Sequence, residues 1–72
     1  MSYILNSLET RYGVKLSNGK HTVRKVMSKG VPSLIERLVD ATYEADKSYR
    51  IINQREYKNA GIWEEEITYE IY

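Results

Sequence analysis

Apolar residues recur at one spacing in the middle of the chain and at another on either side of it. Leu34, Ile35, Leu38, Ala41, Thr42 and Ala45 lie three and four positions apart, with Val39 on the flank. Glu36, Arg37, Asp40, Glu44 and Lys47 fall between them. That period puts the apolar set on one side of an α-helix and the charges on the other. Ser33 followed three positions later by Glu36 is a capping box, the serine hydroxyl accepting from the Glu36 N–H and the carboxylate from the Ser33 N–H. Pro32 suits a site just outside the cap or the first helical residue, and Gly30 breaks the chain before it. Tyr49-Arg50-Ile51-Ile52 is strand-prone, so the expected helix spans about 33–48.

The flanking segments alternate instead. In YGVKLS-NG-KHTVRKVM, Asn18-Gly19 separates two β-prone runs, and Asn-Gly accepts the positive φ angles of a type I′ turn. A hairpin over 11–29 follows, pairing Val14 with Val23, Leu16 with His21 and Lys15 with Thr22. Val14, Leu16 and Val23 form its buried face, and Val26, out of phase, suggests a bulge near Arg24-Lys25. Gly13 marks a second candidate bulge.

The C-terminal part, 49–72, reads as another hairpin around Lys58-Asn59-Ala60-Gly61, pairing Tyr57 with Ile62, Arg55 with Glu64, Asn53 with Glu66 and Ile51 with Thr68. Ile52, Trp63, Ile67, Tyr69 and Ile71 would face the helix. Glu64-Glu65-Glu66 fits poorly, because glutamate is a weak strand former and Glu65 falls on the buried side. Either Glu65 sits at the sheet rim, or the strand is regular only from Glu66, or Glu65 meets a basic residue of the first hairpin. Residues 1–10 read as an irregular lead-in that packs Ile4 and Leu8 on the helix. The expected architecture is one α+β domain over 1–72, ββαββ, a four-stranded antiparallel sheet with one helix on one face.

Composition narrows what such a domain can do. A 72-residue chain without cysteine has neither a disulfide nor a thiolate metal site to reinforce a small core. Dimerisation is the common alternative. A single histidine, His21, forms no cluster, and there is no phosphate-binding glycine loop, zinc-protease motif or nucleophile elbow. The expectation is therefore no catalytic site, no metal and no cofactor. No run of apolar residues is long enough to span a membrane. The first ten residues do not have the form of a secretory signal, which suits a cytoplasmic location.

Charge is segregated although the net charge is only +1. Residues 1–30 carry six basic residues against Glu9, and residues 31–72 carry five basic against nine acidic. Such halves either neutralise one another in the fold or leave faces of opposite sign. Seven tyrosines and one tryptophan, with no phenylalanine, are suited equally to cross-strand pairs and to binding surfaces.

Two functions are compatible with these features. The first is a protein-binding module that inhibits or modulates a larger protein. Its contact residues would be Glu36, Asp40, Tyr43 and Glu44 on the helix, with Glu64 and Glu66 on the last strand. Compact chains of this composition are found among viral early proteins, phage proteins included, that disable a host factor. The second is a nucleic-acid-binding module using Arg11, Lys15, Lys20, Arg24, Lys25 and Lys29 of the first hairpin. The acidic second half favours the first reading.

Overall fold

A computed structural model describes residues 2–72. Five elements follow in order: α1 (Ser2–Tyr12), β1 (Gly19–Val26), α2 (Leu34–Ala45), β2 (Tyr49–Asn59) and β3 (Ile62–Ile71). The strands form one antiparallel sheet in the order β1-β3-β2, with α2 packed on one face of it and α1 packed on α2. The fold is α+β as expected, but it has two helices and three strands. The four-stranded ββαββ arrangement is not formed.

The difference lies in the first eighteen residues. The expected lead-in is helical from Ser2 to Tyr12, and Met1 lies outside the described residues. Gly13 ends this helix at φ +73°, its N–H donating to Glu9 O at 2.8 Å, so it is a helix terminator and not a bulge. Segment 13–18 then runs across the core without pairing. Its backbone groups are claimed by side chains: Leu16 N–H donates to Glu9 Oε2 at 2.7 Å, and Lys15 N–H donates to Tyr69 Oη at 2.7 Å. Tyr69 Oη in turn donates to Lys15 O at 2.8 Å. With those groups satisfied there is no ladder left to offer His21 or Val23. Val14 and Leu16 are buried as expected, but as plugs from an irregular segment.

β1 instead pairs with β3, from Gly19↔Ile71 to Val26↔Glu64. Arg24 thereby stands opposite Glu66, Lys25 opposite Glu65 and Lys20 opposite Glu70. The basic and acidic halves of the chain thus meet across this pairing, where Arg24 forms an ion pair with Glu66.

α2 begins where expected. Ser33 is its N-cap, accepting from Glu36 N–H at 3.2 Å. A second acceptor comes from the sheet: Glu65 Oε1 receives Leu34 N–H at 2.8 Å, a buried contact that accounts for a carboxylate on the helix-side face of β3. The helix stops at Ala45, short of Ser48, because Asp46 takes the left-handed conformation at φ 55° and ψ 47°. Asp46 N–H then donates to Tyr43 O and Lys47 N–H to Thr42 O, the bond pattern of a Schellman motif with aspartate in glycine's usual place.

The second hairpin is present in a different register. Its turn is the two residues Ala60-Gly61, at φ 52° and 83°, so Asn59 faces Ile62, Tyr57 faces Glu64 and Arg55 faces Glu66. The type I′ turn expected at Asn18-Gly19 is thus formed at Ala60-Gly61. A bulge between Ile51 and Asn53 turns Ile51 toward the core and leaves Ile52 exposed. Trp63, expected in the core, is also exposed, because the far end of the hairpin extends past the helices.

The core is Leu8 of α1, Val14 and Leu16 of the irregular segment, Leu34, Leu38 and Ala41 of α2, and Ile67, Tyr69 and Ile71 of β3. At about 1.5–3 kcal/mol for each large side chain fully buried, these few residues carry most of the stabilisation of so short a chain.

Candidate functional site

The helix layer covers the sheet unevenly. α1 packs on α2, and Glu9, Thr10 and Gly13 at its C-terminal end line a shallow pocket together with Val23 of β1. β2 is left bare: Gln54, Glu56 and Lys58, on its helix-side face, are all exposed. A step therefore runs between the outer flank of α2 and the start of β2. Val39, Thr42, Tyr43, Lys47, Ser48, Tyr49 and Tyr72 line a shallow depression of about 410 Å³ there.

The backbone that builds this step is well braced. Ser48 and Tyr72 exchange N–H···O=C bonds at 2.9 and 3.1 Å, fixing Tyr49 beside Tyr72. The left-handed Asp46 turns the chain sharply from α2 into β2. Lys47 Nζ donates to Asn18 Oδ1 at 2.7 Å, which draws that cation toward the β1 side. The aromatic and apolar side chains around the depression are nevertheless out in water. Tyr43 is 86% exposed and Tyr72 62% exposed, with Val39 and Tyr49 also exposed. Tyr43 and Val39 belong to the arc of α2 that is turned away from Leu38, next to Glu36 and Asp40 on the helix crest.

The opposite face of the sheet is a charge lattice. Across the three strands the rows read Lys20–Glu70–Arg50, Thr22–Thr68–Asn53, Arg24–Glu66–Arg55 and Val26–Glu64–Tyr57. Glu66 is 8% exposed, with Arg24 Nε at 2.6 Å from one carboxylate oxygen and Arg55 Nε at 2.7 Å from the other. The Arg55 and Arg24 guanidinium groups hold the Glu66 carboxyl below its usual pKa, and the carboxylate raises both arginines in return. Arg50 lowers Glu70 in the same way. Arg55 also stacks on the Tyr57 ring, 4.7 Å from its centroid, and Tyr57 Oη donates to Glu64 Oε1 at 3.1 Å. Burial together with Glu64 raises the Tyr57 hydroxyl. Opposite charges here meet one another, and the face presents little net field to solvent.

The six candidate protein-contact residues are therefore not one surface. Glu36, Asp40 and Tyr43 share the crest of α2. Glu44 turns toward α1, where it accepts from Tyr12 Oη and, at 3.3 Å, from Arg11 Nη1. That bond to Glu44 raises the Tyr12 hydroxyl. Glu64 and Glu66 are on the far side of the sheet, engaged by Tyr57 and by the two arginines. Val39, Tyr49 and Tyr72, which line the depression with Tyr43, are not among the expected contact residues. Val39 carried a signal, as the one apolar position outside the helix's buried arc. Tyr49 and Tyr72 carried none beyond being tyrosine.

The six candidate nucleic-acid residues are scattered too, because the hairpin that would gather them is not formed. Arg11 is on α1 and Lys15 in the irregular segment. Lys20 and Arg24 lie on the lattice face of β1, while Lys25, on the helix-side face, donates to Pro32 O at 3.3 Å. Lys29 sits in the connection to α2.

His21 packs its ring 5.7 Å from that of Tyr69, and its Nε2 lies 2.7 Å from Ser17 O. No carboxylate contacts it. Among the described residues no group of histidine, aspartate or glutamate side chains is arranged to hold a metal ion, and no helix is long and apolar enough to cross a membrane. No protein-family model, curated protein or solved structure matches the chain.

Proposed function

We propose that the chain is a protein-binding module whose contact surface is the step between α2 and β2. The observation that supports this reading is the gathering of four exposed large side chains, Tyr43, Tyr72, Tyr49 and Val39, around one depression. Tyrosines displayed on braced backbone give rigid contact area at low entropic cost. The rim chooses the partner. Glu36 and Asp40 on the crest are in no ion pair among the described residues, whereas the neighbouring cations Arg37 and Lys47 are turned to Pro32 O, Tyr12 O and Asn18. The fitting partner is a protein segment with an apolar stripe flanked by lysine or arginine, an amphipathic helix lying along the step. Binding there would modulate the protein that carries the segment.

The test is an NMR titration of the labelled protein with two helical peptides sharing a leucine stripe, one flanked by lysines and one by glutamates. The lysine peptide should shift the amides of Val39, Thr42, Tyr43, Tyr49 and Tyr72, and Tyr43→Ala with Val39→Ser should remove the effect. Equal binding of both peptides, or shifts confined to the charge lattice, would overturn the reading.

A further inference from the structure

β2 is a sheet edge, and its charges are used unequally. Arg50 and Arg55 are ion-paired to Glu70 and Glu66 on β3. Glu56 and Lys58 have no ion-pair partner among the described residues. Glu56 is worse than unpaired, because the register sets it opposite Glu65, a like charge. Both residues lie on the helix-side face, and both are exposed.

The turn settles which backbone groups of β2 are free. In a two-residue turn the flanking Asn59 and Ile62 are hydrogen-bonded to each other. Bonding then alternates along an antiparallel pair, so Asn59, Tyr57 and Arg55 bond to β3, while Lys58, Glu56 and Gln54 point their N–H and C=O groups outward. The unpaired charges therefore sit on the residues whose backbone is also unpaired.

We infer that two copies of the chain join through β2, antiparallel, about a two-fold axis at Tyr57. This register sets Glu56 opposite Lys58 of the second copy, and Lys58 opposite its Glu56, as hydrogen-bonded pairs. Tyr57 faces its own copy in the closer, non-hydrogen-bonded position. Neighbouring registers that keep the two faces aligned fail on charge. An axis at Glu56 apposes two glutamates, and one at Arg55 apposes two arginines. The resulting sheet has six strands with both helix layers on the same side. The axis is eight residues from Tyr49, roughly 26 Å at ~3.3 Å per residue, so the α2–β2 step stays open in each copy and the two readings stand independently.

The test is sedimentation equilibrium from low micromolar to millimolar concentration. The mass should rise from that of the 8.5 kDa chain toward twice that value. Glu56→Lys and Lys58→Glu should each raise the dimer Kd about tenfold or more, since each creates two symmetry-related like-charge pairs. The combined Glu56→Lys, Lys58→Glu swap should restore it. Glu56→Pro removes an outward N–H without touching the β3 ladder, so it should abolish the dimer while circular dichroism of the monomer is retained. Tyr43→Ala should leave the dimer intact. A chain monomeric throughout, single reversals without effect, or a swap that fails to restore association would each overturn the inference.

Discussion

Removing one hydroxyl tests the reason the first hairpin is missing. Tyr69 is fully buried in the core, and its ring packs against His21. Tyr69→Phe keeps that ring and deletes only the oxygen that both accepts from Lys15 N–H and donates to Lys15 O. Two backbone groups then lose their partner. A buried polar group left unsatisfied costs about 1–3 kcal/mol, and Lys15 lies near enough to solvent for water to recover part of this, so the expected loss is about 2 kcal/mol. A 72-residue domain has a stability of order 4–10 kcal/mol, and a loss of that size lowers Tm by roughly 8–16 °C. Urea and thermal unfolding followed by far-ultraviolet circular dichroism measure it. Hydrogen exchange locates it, as faster exchange at Lys15 and Leu16 with little change at Ile67. The hydroxyl also sets an alkaline limit. Burial pushes its pKa up to about 12 from 10.0, so the stability it contributes is complete below pH 10 and is lost as pH rises from 10 toward 12. The phenylalanine variant should lack that part of the alkaline decline. A Tm within two degrees of the parent chain, or an unchanged alkaline limb, would refute the claim that Tyr69 holds segment 13–18 out of the sheet.

Three further outcomes are expected. Ala60→Asn should raise stability by about 1 kcal/mol in urea melts, because Ala60 is held at φ 52° and asparagine tolerates that region. Glu65→Ala should cost about 1–2 kcal/mol and fray the first turn of α2, seen as lost amide protection there, since Leu34 N–H loses its acceptor. For Glu66, whose pKa is depressed below 4.5 by Arg55 and Arg24, the stabilisation is present above pH 4.5 and disappears as pH falls through the folded value. Glu66→Gln should therefore flatten the acid limb of a stability–pH profile while leaving its alkaline limb unchanged.

The parts of this fold that could be read from the chain are those whose signals are local. Ser33 and Glu36 announced the start of α2, and its period gave its buried face. Val14, Leu16, Ile67, Tyr69 and Ile71 were identifiable as core from alternation. What failed were decisions made by distant residues. Asn18-Gly19 has stronger turn chemistry than Ala60-Gly61, yet only the latter is a hairpin turn. The backbone at Lys15 and Leu16 is bonded by Tyr69 and Glu9, and nothing near the turn reveals that. α1 has only a weak apolar face, because α2 covers it along one narrow seam, so its period was easy to miss. Helix termination at Asp46 needed a left-handed aspartate, for which sequence offers a weaker cue than glycine. Glu65 fits no strand pattern, because its partner is Leu34 N–H at the start of a helix thirty-one residues away in sequence. The expected contact residues do not form one surface: Glu36, Asp40 and Tyr43 share one crest, whereas Glu44, Glu64 and Glu66 are occupied within the chain.

The β1–β3 pairing also sets an order of events during folding. The β2–β3 hairpin closes over two residues and α2 carries its own caps, so both can form early and locally. β1 must then find β3 across most of the chain's length, guided by cations meeting the waiting row Glu64, Glu66 and Glu70. Substitutions in β1 or α1 should consequently accelerate unfolding while leaving the refolding rate nearly unchanged, and those in the hairpin should slow refolding. Until β1 arrives, Glu66 and Glu70 are already answered by Arg55 and Arg50 of β2, so the open edge of β3 carries little net charge and this is the stage at which the chain is exposed to pairing with its own kind.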